Sequence, residues 1–179
     1  VIYHSAEGQT HKIAERIATT LSDQGATVDL VTVDDGPSLA GYDGVVLGDS
    51  IHIGRHSRAL RRWITHHGEQ LDAMPVALFQ VSLTSAKDDA ESLAEAHTLV
   101  QRLLDATGLD PDLVGMFAGA LAYTRYGWLK RRMMSRIAAS EDGDVDTSQD
   151  YEYTDWDAVE EFASDALALV THVSSTDVS

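Results

Sequence analysis

The sequence predicts an α/β fold: a doubly wound, five-stranded parallel sheet in the order 2-1-3-4-5, with helices on both faces. Three observations predict it. Strand-like and helix-like apolar periodicities alternate along nearly the whole chain. Two strand-like stretches, "GVVLGDS" (44–50) and "PVALFQVSL" (75–83), are almost continuously apolar, as strands covered on both faces must be. The connections are long enough to hold the crossover helices that parallel pairing requires.

Each element follows in order. "VIYHS" (1–5) reads as the first strand. Ile13, Ile17 and Leu21, four apart with Ala14 and Ala18 beside them, form one helical face that Gly25 ends. "ATVDLVTV" (26–33) alternates as a second strand, and "GPSLAGYD" is a turn-rich connection to the third, at 44–50. Leu60, Trp63, Ile64 and Leu71 mark a second helix, and 75–83 is the fourth strand. Residues 88–107 read as a helix with Leu93, Ala96, Val100, Leu103 and Leu104 inward, and "LVGMFAGAL" (113–121) as the fifth strand. The last helix is expected to start near Thr154, where "TDWD" resembles a capping box. Its buried stripe is Trp156, Val159, Phe162, Ala163, Ala166, Leu167 and Val170. This count of strands and helices fits the flavodoxin-like version of the doubly wound fold. A single domain over 1–173 is expected, with an insertion at 122–150 and a flexible tail at 174–179.

Composition narrows the function. The 179 residues hold 29 Asp and Glu against 13 Lys and Arg, a net charge of −16. Only three of the basic residues are lysine (Lys12, Lys87, Lys130). An acid-rich, lysine-poor surface suits a salty cytoplasm, where self-repulsion is screened, so a halophilic source is expected. Such acidity argues against a nucleic-acid partner. The absence of cysteine excludes disulfides and thiolate chemistry and fits a cytoplasmic protein. No apolar run is long enough to span a bilayer, and no secretory signal is recognisable. The chain opens on Val1, so a few preceding residues are expected.

In doubly wound sheets ligands bind at the carboxyl ends of the strands, so the loops after strands one, three and four matter most. The first carries "HSAEGQT". Ser5, Gly8, Gln9 and Thr10 lie between a strand end and a helix start, where unpaired N–H groups and the positive dipole end favour an anion. Ser5 and Thr10 add hydroxyls, and Gly8 allows close backbone approach, as a phosphate cradle needs. An ordinary turn and cap would use the same residues. The spacing is neither G-x-G-x-x-G nor that of a P-loop. In the second loop, "DSIHIGRHS" (49–57), and the third, "SLTSAK" (82–87), backbone amides stand beside small and apolar side chains, suited to the edge of a flat heteroaromatic ring. Together the three loops would hold a flavin mononucleotide (FMN).

The segments "YHSAEGQTHKIA", "YDGVVLGDSIHIGRH", "MPVALFQVSL", "FAGALAYTRYGWLKRRMM" and "YTDWDAVEEFA" resemble, in order and over nearly the whole chain, the flavodoxin-fold menaquinone-dependent protoporphyrinogen IX dehydrogenase family. The resemblance implies FMN-dependent oxidation of protoporphyrinogen IX to protoporphyrin IX in haem biosynthesis, with electrons passed to a membrane quinone. It implies phosphate contacts from Ser5, Gly8, Gln9 and Thr10. Glu7, an odd neighbour for a phosphate within the same motif, is expected to turn to solvent. The ring would lie between Ser50, Ile51, His52, Ile53 and Gly54 on one side and Val81, Ser82 and Leu83 on the other. The flavin N5 would do the chemistry, so no side chain is expected to be catalytic.

The insertion breaks the charge pattern. No acid occurs between Asp112 and Glu141, yet the stretch holds Arg125, Lys130, Arg131, Arg132 and Arg136. Tyr126, Leu129, Met133 and Ile137, three or four apart, make an apolar helical stripe, and Tyr123 and Trp128 add interfacial rings. A basic amphipathic helix of this kind fits a membrane surface, here the inner face of the cell membrane. It equally fits porphyrin propionates, which arginine forks match. The candidate contact residues are Tyr123, Arg125, Trp128, Lys130, Arg131 and Arg132. A helix packed on the sheet, its arginines paired with the acids of 141–165, is the plainer alternative. In high salt, with a Debye length near ~3 Å at 1 M, apolar burial rather than charge would hold such a contact.

The eight histidines carry no metal-site spacing: His52 and His56 are four apart on a loop, and His66 and His67 adjoin on a helix, as expected of solvated surface. His52 is expected to turn to water from the ring loop. No nucleophile elbow appears, which removes a hydrolase. A receiver domain would place an acid where Asp49 stands, but it lacks the acidic pair after strand one. Two alternatives remain open: a soluble flavodoxin-type electron carrier and a nicotinamide-fed quinone reductase.

Overall fold

The computed structural model describes residues 1–83, 90–121 and 151–176. The elements are β1 (Ile2–His4), α1 (Gln9–Asp23), β2 (Val31–Thr32), a 3₁₀ turn (Val33–Asp35), β3 (Val45–Ser50), α2 (Arg58–His66), α3 (Gly68–Leu71), β4 (Val76–Ser82), α4 (Ala90–Thr107), β5 (Leu113–Ala118), β6 (Ala120–Leu121), β7 (Tyr151–Glu152) and α5 (Trp156–Thr176). The main sheet runs β2-β1-β3-β4-β5, all parallel, as expected.

Alternation along the strands splits the core into two layers. Ile2, Leu47 and Leu78 face one way and pack with Leu60, Trp63, Ile64, Val100 and Leu103 of α2 and α4. Tyr3, Val46, Ala77 and Phe79 face the other way and meet Ile13 and Ile17 of α1 and Val159, Phe162 and Ala163 of α5. Phe79, Phe117 and Phe162 cluster, with Phe162 edge-on to Phe117 at 5.5 Å between centroids. Gly48 makes room for this cluster: a Cβ there would stand 2.1 Å from Phe79. Because His4 and Asp49 follow Ile2 and Leu47 by two residues, they belong to the α2–α4 face, paired across β1 and β3.

Several boundaries differ from expectation. β2 holds only two residues, although Val28 and Leu30 still pack against the core: the alternation reported burial, not pairing. The second helix breaks at His67 and Gly68, so Leu71 lies on α3. Leu93 is 53% exposed. The buried stripe of α4 passes through Ser92, four before Ala96 and seven before Leu99, which leaves Leu93 off the stripe. The expected fifth strand divides at Gly119, and Ala120–Leu121 pairs antiparallel with Tyr151–Glu152 in a second, two-stranded sheet. α5 runs to Thr176, three residues into the expected tail. His66 is exposed as expected, but His67 is half-buried, stacked on Trp63 at 4.2 Å with its Nδ1 2.9 Å from the Trp63 carbonyl.

Candidate functional site

Parallel register brings the carboxyl ends of the strands into one row. His4 stands beside Asp49, Ser50 beside Val81, and Ser82 beside Ala118. The three loops singled out in the sequence leave from this row.

The first loop closes on itself. Ser5 Oγ accepts the Gly8 N–H at 3.0 Å, and Gly8 is left-handed, with φ 97°. That backbone turns the chain directly into α1, which starts at Gln9 with no side-chain cap and no acid in its first turn. The first bond back into the helix is from the Lys12 N–H to the Gly8 carbonyl, at 3.2 Å. The amides of Gln9, Thr10 and His11 therefore precede the helical ladder, at the positive end of the helix dipole. Thr10 is buried at this corner.

Gln9 is also buried, but its side chain points elsewhere. Its Nε2 donates to Thr154 Oγ1 at 2.9 Å, and the Thr154 hydroxyl donates to the Ala118 carbonyl at 2.7 Å. Thr154 thus couples the start of α1 to the end of β5 instead of capping α5. Asp155 is the cap, its Oδ1 accepting the Ala158 N–H at 3.1 Å. Beside it, Lys12 Nζ donates to Glu152 Oε2 at 2.7 Å and Trp156 Nε1 to Glu152 Oε1 at 3.1 Å. The lysine bond, working against partial burial, holds the Glu152 carboxyl below its usual range.

The second loop is a tight hairpin on a pinned base. The Ile51 N–H donates to the Val81 carbonyl at 2.8 Å, extending the ladder past β3. His52 and Arg55 then exchange both backbone bonds, at 3.0 and 3.2 Å. The two residues between them have positive φ, 51° at Ile53 and 65° at Gly54, the signature of a type I′ turn. Glycine takes this shape freely; a β-branched isoleucine does not. Ile53 is nevertheless 83% exposed, so no core packing explains its strain. The hydroxyl of Ser50 is buried with no hydrogen-bond partner.

The base of that hairpin is Asp49, which is fully buried. His4 Nδ1 lies 3.2 Å from Asp49 Oδ1, His56 Nδ1 lies 3.1 Å from Oδ2, and the Ser57 N–H donates to Oδ2 at 2.7 Å. Burial would raise the Asp49 carboxyl; the bonds from His4, His56 and Ser57 outweigh it and hold the group below its ordinary value. An ionised carboxylate only accepts, so both facing ring nitrogens carry protons. The same bond raises His4 above an ordinary histidine against the opposing effect of burial, with Asp49 and Asp34 adding attraction. The sequence reading missed this cluster. Its one local signal was an aspartate ending an otherwise apolar strand.

The remaining expected residues fall as follows. Val81 and Ser82 are buried at the end of β4, and Leu83 is half-buried just beyond. His52 is more than half exposed, as expected, but Glu7 does not simply face solvent. It is half-buried, with Oε1 3.9 Å from His52 Nδ1, so it bridges the first and second loops. Tyr123, Arg125, Trp128, Lys130, Arg131 and Arg132 lie outside the described residues. Among the described residues no side-chain group could hold a metal ion, and no helix is long and apolar enough to cross a membrane.

The site tests well against an FMN. An uncapped helix start behind a left-handed glycine suits a phosphate, and an orphaned buried hydroxyl on the adjoining strand end suits a polar ring atom. Comparison with known proteins agrees with this chemistry. Residues 1–148 match the Flavodoxin_5 family, described as a flavodoxin domain. A Leishmania major protein named protoporphyrinogen IX dehydrogenase (quinone) is 38% identical over 172 residues, 94% of this chain and 74% of the relative. The protein of that name from Escherichia coli K12 is 31% identical over 94% of both chains. In fold, the chain is similar to a flavodoxin from the domain Archaea (TM-score 0.52, 15% identity, 97% of this chain and 96% of that one). It is also similar to 36% of the rubredoxin oxygen:oxidoreductase of Desulfovibrio gigas (TM-score 0.57, 13% identity, 99% of this chain).

Proposed function

The chain belongs to the flavodoxin-domain family, among the protoporphyrinogen IX dehydrogenases (quinone), and from that membership we propose that it oxidises protoporphyrinogen IX with FMN and delivers the electrons to a quinone. The observation that carries the cofactor reading is the start of α1, left without a side-chain cap in the row of strand ends that holds the orphaned Ser50 hydroxyl.

In this reading the amides of Gln9, Thr10 and His11 and the hydroxyls of Ser5 and Thr10 hold the phosphate. Ser5 also keeps the loop shut through Gly8. Gln9 contributes its backbone, because its side chain is committed to Thr154. Ser50 and the backbone of 51–54 border one side of the ring, and Val81, Ser82 and Leu83 the other. When bound, FMN would supply the exchange of electrons between porphyrinogen and quinone, two per turnover, with three turnovers for the six-electron oxidation to the porphyrin. The protein's part is to orient the ring, keep water from its buried edge and leave one face open to the tetrapyrrole macrocycle. No acid or base of this chain is needed on the substrate.

The basic stretch 122–150 supplies the contact with porphyrin carboxylates or a membrane surface, with Tyr123, Arg125, Trp128, Lys130, Arg131 and Arg132 as its members. Its support is sequence charge: five of the thirteen basic residues lie between Asp112 and Glu141, where no acid occurs, on a chain of −16. A cytoplasmic protein peripheral on the inner membrane face, in a salt-rich cell, fits the same composition.

The test is direct. Purified protein should retain FMN, turn over protoporphyrinogen IX with a quinone, and leave NAD(P)H untouched. Ser5→Ala with Thr10→Val should weaken FMN binding by roughly tenfold or more, as lost bonds to a charged group do. NAD(P)H consumption would move the assignment to a quinone reductase. FMN binding without porphyrinogen turnover would leave an electron carrier.

A further inference from the structure

Asp49 joins both ends of the ring loop to the sheet. It sits at the end of β3, where the loop leaves, and its carboxylate takes the Ser57 N–H, where the loop re-enters structure as the cap of α2. Between these points run Ser50 and the strained 52–55 hairpin. His56 is 3% exposed, and its Nε2 is buried with no hydrogen-bond partner, so the bond to Asp49 is what orients the ring. His4 reaches the other oxygen from β1, the strand that leads into the phosphate loop. One carboxylate therefore ties together the bases of two loops that also meet at the 3.9 Å contact of Glu7 with His52.

We propose that Asp49 is a positioning residue, a buried latch that uses His4, His56 and the Ser57 amide to hold the 50–57 hairpin at a fixed height over the cofactor cleft. The proposal rests on the FMN reading for what the hairpin covers, but not for the latch itself. A loop held only by its own two-residue turn would move; charge-assisted bonds in a buried setting are stiff and short. The strain at Ile53 fits this picture, because a turn that stores strain persists only where its surroundings over-determine it.

The latch should depend on pH in one direction over the neutral range. The titratable groups that act on Asp49 are His4 and His56, and Asp34 acts on His4. Since the fold raises His4, its contribution is complete below about pH 6.5 and is lost as pH rises through the raised value. Asp49 is held low, so its contribution is present above the usual carboxylate range and is lost only in acid.

The experiment measures amide-exchange protection of Ser57 and Arg55 in the flavin-free protein, and FMN affinity, each from weakly acid to alkaline pH. Asp49→Asn should lower Ser57 protection and FMN affinity together, roughly ten- to a hundredfold, with β4 amides unchanged. His4→Gln, a milder change that keeps a donor, should flatten the fall in affinity expected of the wild type between neutral and alkaline pH. Wild-type protection and affinity in Asp49→Asn overturn the proposal. So does loss of Ser57 protection with unchanged FMN affinity, which would leave a structural clamp alone. If the wild type takes no FMN, the cofactor reading fails, while exchange at Ser57 still decides whether the latch exists.

Discussion

Two helices begin side by side in this molecule, and they begin differently. α5 is finished by side chains: Asp155 caps the Ala158 amide, and Trp156, with Lys12 of α1, satisfies Glu152 just before it. α1, tied to it through Gln9 and Thr154, opens behind a left-handed glycine with no side-chain cap. Glycine at the cap costs a helix roughly a few tenths of a kcal/mol against a capping side chain, so nothing in stability alone favours leaving α1 open. The pair teaches that the chain can cap a helix where only folding is at stake. It withholds the cap at the end that faces the row of loops, where an anion can complete the helix instead.

The largest effect should come from spoiling that open end. Gly8→Asp puts a side chain where φ is 97° and a negative charge where the phosphate is to lie. Left-handed strain of roughly 1–2 kcal/mol and like-charge repulsion act together, so FMN affinity should fall on the order of a hundredfold. Titration of the flavin-free protein by flavin fluorescence reads it. An unchanged affinity would mean the two helix starts do not differ in the way described.

Asp155→Ala is the matching change at the closed end. It should cost about 1 kcal/mol of stability, seen as a lower midpoint in urea, and leave FMN affinity as it was. A loss of FMN binding here would break the comparison, since it would make the start of α5 part of the cofactor site.

The open end was legible in the sequence because it is local. Ser5, Gly8 and Thr10 lie within six residues, between a strand pattern and a helix pattern, and the parallel order followed from the same periodicity. The closed end was misread by one residue. Thr154 fits a cap by type, but its hydroxyl is used by Ala118 and Gln9, and the cap passes to Asp155. The Asp49 cluster was missed because it depends on register. His4 and Asp49 are 45 positions apart and meet only once β1 and β3 pair, and the hairpin then folds His56 back onto the same carboxylate. No window of sequence contains that arrangement. Glu7 went the same way: its neighbour His52 comes from another loop.

The smallest predicted effect extends the contrast from an unfilled cap to a strained turn. Ile53 holds φ 51° while 83% exposed, a place where asparagine would take the same backbone with less strain and lose almost no burial. Ile53→Asn should therefore stabilise the flavin-free protein by about 0.5–1 kcal/mol, the reverse of most substitutions. If the isoleucine stands there to lay an apolar surface against the ring or the macrocycle, the same variant should bind FMN or turn over porphyrinogen less well. Stability and function would then move in opposite directions at one residue. A variant that is more stable and equally active would mean that the turn, unlike the start of α1, holds its strain for no ligand.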